Sequence, residues 1–166
     1  MTENHQSEAL GVDIGGVVIE RASQRGDTSF SGDRYLETPA IAGVVEALAR
    51  LTAERFGPSV HFVSKCGATT ERKTREWLAH HRLFERTGIP ADNLHFCRRR
   101  DEKAPIAARL GLTHFVDDRL EVLGYLETVP TLILFDAIED EVAKHRHLLD
   151  RVTRVAGWPE VTALLL

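Results

Sequence analysis

Apolar residues recur along this chain in two rhythms: short β-rich runs alternate with longer stretches at helical spacing. Ala9-Leu10-Gly11-Val12-Asp13, Val60-His61-Phe62-Val63-Ser64, Leu94-His95-Phe96-Cys97, Thr113-His114-Phe115-Val116-Asp117 and Thr131-Leu132-Ile133-Leu134-Phe135 read as five strands. Between the first two, Ile41, Val44, Val45, Leu48 and Leu51 form one helical stripe, with Thr38-Pro39 as N-cap and first-turn proline. Thr69 or Thr70 is expected to cap a second helix carrying Trp77 and Leu78, and Gly88-Ile89-Pro90 ends that region of the chain. Asp101 is expected to cap a third, with Ile106 and Leu110 inside, Pro105 tolerated in the first turn and Gly111 as its stop. Leu120, Val122, Leu123 and Leu126 make a fourth helix and Asp140 to Leu149 a fifth, while Trp158-Pro159-Glu160-Val161 opens a short terminal one. This alternation predicts an α/β fold, a three-layer α/β/α sandwich around a Rossmann-like parallel five-stranded sheet, in a single domain over residues 1–166. A polar loop, Glu20 to Asp33 (a flap around 20–34), follows the first strand and should rise over its carboxyl end, where open α/β sheets bind ligands.

Composition narrows the function classes. At 43% hydrophobic and 28% charged residues the chain matches a soluble globular protein, and no apolar run approaches a bilayer span. The start, Met1 to Glu8, has neither the basic nor the apolar segment of a secretion signal, so a cytoplasmic location is expected. A net charge of −4 argues against binding nucleic acid through bulk charge. Cys66 and Cys97 lack metal-ligand spacing and read as two buried thiols in a reducing compartment. Arg98-Arg99-Arg100 is the only basic run, and it reads as a solvated turn more readily than as a polyanion site. His145 and His147 sit about 200° apart on a helix, a poor geometry for shared metal ligation.

The chemistry lies at the strand ends. Val12-Asp13 and Val116-Asp117-Asp118 put carboxylates directly after apolar strands, and burying charge there is costly unless it is compensated. Strand ends of a parallel sheet converge on one crevice, and a hard divalent cation such as Mg²⁺ is the natural remedy for three carboxylates meeting there. Ser64-Lys65 ends another strand with a hydroxyl and an amine suited to a phosphoryl oxygen. Lys103, fourteen residues before Asp117, stands in a first helical turn where a cation opposes the helix dipole, so it is better aimed at an anion or at the acidic cluster.

Taken in order, these residues resemble the haloacid dehalogenase superfamily of phosphatases and related hydrolases. Val12-Asp13-Ile14-Gly15-Gly16-Val17-Val18 is similar to its first motif, Phe62-Val63-Ser64-Lys65 to the second, Lys103 to the third and Phe115-Val116-Asp117-Asp118-Arg119 to the fourth. Gly157-Trp158-Pro159-Glu160-Val161 is similar to the tail of small members. The resemblance implies strand order 5-4-1-2-3 and a phosphoryl hydrolase in which Asp13 forms an aspartyl-phosphate. It implies Mg²⁺ held by Asp13, the Gly15 carbonyl and one of Asp117 or Asp118, with Gly16, Ser64, Lys65 and Lys103 binding phosphoryl oxygens. The implied substrate is a phosphorylated small molecule or nucleotide-like compound.

The chain departs from the pattern at Gly15, where most phosphatases of the superfamily carry a second aspartate that protonates the leaving group. Positioned acid–base catalysis contributes about 10²- to 10⁴-fold, so the loss favours acyl or aryl phosphates with acidic leaving groups. Glu20, Asp27 and Asp33 in the polar loop are candidate surrogates. The intervals around Ser64 have no room for a cap domain, and capless members act on bulky substrates or borrow a neighbouring subunit, which admits a homo-oligomer. The alternative is a catalytically impaired protein that binds a phospho-ligand or a partner. A third reading is a dehalogenase or phosphonatase type of hydrolase.

Overall fold

A computed structural model describes residues 7–21, 30 and 32–166. Six parallel strands form one sheet: β1 (Leu10–Val12), β2 (Val60–Lys65), β3 (Leu94–Cys97), β4 (His114–Asp117), β5 (Thr131–Phe135) and β6 (Val152–Val155). Their order is β3-β2-β1-β4-β5-β6. The expectation of five strands in order 5-4-1-2-3 is therefore corrected: β6 pairs with β5 and extends that edge. Its sequence, Val152-Thr153-Arg154-Val155, hides it, because Thr153 and Arg154 are exposed and only Val155 is buried.

Helices flank the sheet. They are α1 (Val44–Leu51), α2 (Ala68–His80), α3 (Leu83–Thr87), α4 (Lys103–Leu110), α5 (Leu120–Tyr125), α6 (Glu139–Lys144) and α7 (Trp158–Leu165). Side chains alternate across a strand, so each strand feeds two cores. Leu10, Val12, Phe62, Val116 and Ile133 pack with α1, α2, α3 and α7 in one cluster. Val63, Phe115, Leu132 and Leu134 pack with α4, α5 and α6 in the other.

The helix boundaries differ from the sequence reading where side chains find better partners. Thr38 does not cap α1, which starts after Gly43. Thr38 is buried and its carbonyl accepts the Trp77 indole N–H at 2.9 Å. α2 starts after Gly67, ahead of Thr69 and Thr70. Asp101 does not cap α4. It lies in a 3₁₀ turn (Arg100–Glu102), and the Glu102 carboxylate accepts the backbone N–H groups of Arg98 and Arg99. The helix expected over Asp140 to Leu149 divides into α6 and a 3₁₀ segment (Arg146–Arg151). Among the described residues no helix is long and apolar enough to cross a membrane. Of the expected flap, residues 22–29 and 31, Asp27 included, lie outside the described residues.

Candidate functional site

The sheet turns direction between β1 and β4: β2 and β3 lie to one side, β5 and β6 to the other. This is the switch point of a doubly wound sheet, where the loops leaving two adjacent strands part and open a crevice at their carboxyl ends. Asp13 follows β1, Asp117 ends β4 and Asp118 follows it, so all three acids stand at that crevice. The Asp13 N–H donates to the Val116 carbonyl at 2.9 Å, continuing the β1–β4 ladder one residue and fixing the Asp13 backbone.

After Asp13 the chain folds into a tight turn in which the N–H groups of Val17, Val18 and Ile19 all point at the Ile14 carbonyl. Gly16 makes this turn with φ +81°, a left-handed conformation that glycine adopts without steric cost. A Cβ there would also press into the Asp118 carboxylate. The turn is held from the far end of the chain, since the Trp158 indole N–H of α7 donates to the Val17 carbonyl at 2.8 Å.

Ligand oxygens of Asp13, Asp117 and Asp118 lie within 4.8 Å of one another. Lys103, the first residue of α4 and 2% exposed, joins two of them. Its Nζ donates to Asp13 Oδ1 at 2.9 Å and to Asp117 Oδ2 at 2.8 Å. The other Asp117 oxygen accepts the Arg119 N–H at 3.0 Å, and Asp118 Oδ2 accepts Arg21 Nε at 3.2 Å. Burial drives the Asp13 and Asp117 carboxyls up to about 6. The Lys103 charge opposes the rise at both, while a neighbouring aspartate adds to it: Asp118 for Asp13, Asp13 for Asp117. Asp118 is also raised, by burial and then by the Asp117 charge. Burial alone would lower the Lys103 ammonium, but Asp117 and Asp13 outweigh it and hold it charged.

Three carboxylates against one buried ammonium leave negative charge in a desolvated place, and Arg21 at the rim answers only part of it. That donor set, all hard oxygens, could hold a hard divalent cation. The acids open on a cavity of about 410 Å³, also lined by Gly15, Ser64, Lys65 and Arg119. Ser64 is buried, and Lys65, on the opposite pleat of β2, is exposed at the mouth. A Cβ added at Gly15 would meet no atom within 4 Å, so the position expected for an acid is open space.

The structure thus brings Asp13, Gly15, Gly16, Ser64, Lys65, Lys103, Asp117 and Asp118 to one place. Three contributors receive no role from the sequence alone. Arg21 carries no local signal, since it begins a polar stretch. Glu141, 20 residues beyond Glu121, accepts the Leu120 and Glu121 N–H groups at 2.7 and 3.1 Å and caps α5 beside the cavity. Arg119 follows the acid pair directly, which was its only signal. The basic run divides: Arg98 is tied to the Cys66 carbonyl and Glu71, Arg99 to Asp101, and only Arg100, paired with Glu121, lines the cavity. No protein-family model matches the chain, and no curated protein matches it.

Proposed function

We propose that this chain is a Mg²⁺-dependent phosphoryl hydrolase of the haloacid dehalogenase superfamily, with Asp13 as nucleophile. The supporting observation is the convergence of Asp13, Asp117 and Asp118 within 4.8 Å, with Lys103 bridging two of them, at the switch point of a parallel sheet. Asp13, the Gly15 carbonyl and Asp117 or Asp118 would hold Mg²⁺. When bound, Mg²⁺ neutralises the approach of a carboxylate to a phosphate dianion.

The chain's own residues do the rest. Lys103 fixes Asp13 through Oδ1 and, by opposing the effect of burial, keeps it ionised near neutral pH. Ser64 offers its hydroxyl to the phosphoryl oxygens, whereas the Gly16 N–H is already given to the Ile19 carbonyl at 2.8 Å. An Asp13 carboxylate oxygen forms a bond to phosphorus while the bond to the leaving oxygen breaks, and that oxygen departs with the electron pair. Water then attacks phosphorus, releases phosphate and restores the Asp13 carboxylate. No side chain at position 15 supplies the leaving group's proton, so the favoured substrates are acyl and aryl phosphates, whose leaving oxygens are stable as anions.

The test is release of phosphate from an acyl and an aryl phosphate with Mg²⁺ and with chelator. Hydrolysis that needs Mg²⁺ and disappears in Asp13→Asn supports the reading, and hydrolysis that survives chelation sinks it. The open space at Gly15 also favours a second reading, a protein that binds a phospho-ligand without turnover. Gly15→Asp separates the two, because the site has room for the acid. A rise of about 10²-fold or more on an alkyl phosphate shows a competent nucleophile that lacked only its proton donor. Tight Mg²⁺-dependent phosphate binding without turnover in both proteins favours the binding role.

A further inference from the structure

Among the described residues five cations line the cavity, and three of them are already spent on carboxylates: Lys103 on Asp13 and Asp117, Arg21 on Asp118, Arg100 on Glu121. The other two, Lys65 and Arg119, have no carboxylate partner among the described residues. Elsewhere on the surface arginines commonly find one, as Arg50 does with Glu54, Arg72 with Glu76 and Arg98 with Glu71. Two unneutralised cations facing one concave site mark a place where an anion arrives from outside.

Their placement is set by the sheet. Val12 of β1 is in register with Phe62 of β2 and with Val116 of β4. Lys65 ends β2 and Arg119 follows the bend after β4, so the two leave the carboxyl ends of the strands on either side of β1 and line one cavity. Adjacent strands are about 4.8 Å apart, so β2 and β4 stand roughly 10 Å from each other across β1, a gap that two long side chains can close around one anion. Both are exposed whereas Asp13 is buried, which puts them on the solvent side of the place where a reacting phosphate would meet the nucleophile. The Arg119 backbone is not free to drift, since its N–H is held by Asp117 Oδ1 at 3.0 Å. Its guanidinium can grip an oxyanion with two parallel N–H groups, while the Lys65 ammonium serves as a point charge.

We propose that Lys65 and Arg119 form a second anion subsite, and that the substrate is a phosphate compound carrying another oxyanion, a second phosphate or a carboxylate. This rests on the Proposed function, because the first phosphate is placed at Asp13. Lys65 thereby moves from the reacting phosphate, to which its sequence position assigned it, to the outer group.

The test is calorimetric binding to the full chain in saturating Mg²⁺. The probes are inorganic phosphate, alkyl diphosphonates with one to four intervening carbons, and phosphonocarboxylates of the same lengths. The subsite predicts that a diphosphonate or phosphonocarboxylate of fitting length binds at least about tenfold tighter than inorganic phosphate, as expected for one charge-assisted contact. Arg119→Ala and Lys65→Ala should each lower that ratio severalfold, and Arg119→Lys should restore part of it. Both residues are exposed, so the variants should fold, which thermal denaturation checks. The better of the two probe series tells a second phosphate from a carboxylate. Arg109→Ala, outside this cavity, controls for bulk charge, and an equal fall there overturns the subsite. Phosphate binding with no advantage for any dianionic probe overturns the subsite and leaves the Mg²⁺-phosphate reading standing. No binding of any probe removes both.

Discussion

Lys103 shows how a charge can be buried at a site without being spared its cost. Taking an ammonium to 2% exposure costs several kcal/mol, which the two carboxylates at 2.9 and 2.8 Å offset. Removing one partner of such a group leaves the other charges uncompensated. Lys103→Met should therefore destabilise the metal-free protein by about 3–5 kcal/mol in denaturant unfolding, and adding Asp117→Asn to it should recover part of the loss. A double variant as unstable as the single one would mean that Lys103 serves packing rather than charge. Gly16 makes a different demand, for space and handedness together. Gly16→Ala must adopt a left-handed φ at a cost of about 1–2 kcal/mol and displace the Asp118 carboxylate as well. Its expected signature is a smaller gain in melting temperature on adding Mg²⁺, beyond any fall in stability without the ion. At this scale most of the site was legible, because an acid directly after Val12 or Val116 has no packing reason to be there. Arg21 was not, because its partner Asp118 lies 97 residues away and nothing beside it in the chain announces the pair.

At the scale of elements, α7 reaches across the molecule to the turn after Asp13. Trp158 is fully buried in the core with Phe135, its ring centroid 5.4 Å away, and spends its one N–H on the Val17 carbonyl. Trp158→Phe keeps most of the apolar area but leaves that buried carbonyl short of a donor. The expected cost is about 1–3 kcal/mol, and the Asp13 turn loses one of its ties. Since the turn carries Gly15 and Gly16, Mg²⁺ affinity measured by calorimetry should weaken as well. Unchanged affinity would show that the turn's own hydrogen bonds suffice. The five strands that carry the central sheet were legible because apolar runs with turn residues at each end leave few other options. β6 was not, because an edge strand needs only one well-buried side chain, here Val155, and its backbone partner Phe135 is far off in sequence. Helix starts were misread for a related reason: Thr38 and Asp101 are good caps locally, but the fold uses the Thr38 carbonyl for Trp77 and the Glu102 carboxylate for the turn before α4.

For the whole molecule, these charges imply a pH dependence whose sign depends on the group. Asp13 and Asp117 have folded values of about 6, above the unfolded 3.8. The folded state therefore binds protons that the unfolded state has lost, and these acids make the metal-free protein less stable as pH rises from about 4 to about 6. Half-buried His61 and His95 and buried His114 act oppositely over part of the same range. Burial lowers each below the ordinary 6.5, so their contribution is present above that value and is lost as pH falls. Paired surface acids such as Glu54 and Glu71 are lowered from 4.5, and what they contribute is lost only at still more acid pH. The raw stability curve thus mixes opposing slopes and cannot isolate the site. The Mg²⁺-induced increment can, because a cation competes with protons only at the residues that hold it. That increment should be small at about pH 5, where Asp13 and Asp117 are largely protonated, and large at about pH 7.5, where both are ionised. Thermal denaturation with Mg²⁺ and with chelator at the two values reads it directly. Asp13→Asn should reduce the increment at the higher pH. Equal increments at both values would place the bound ion away from Asp13 and Asp117, and the proposed nucleophile and metal site would fall together.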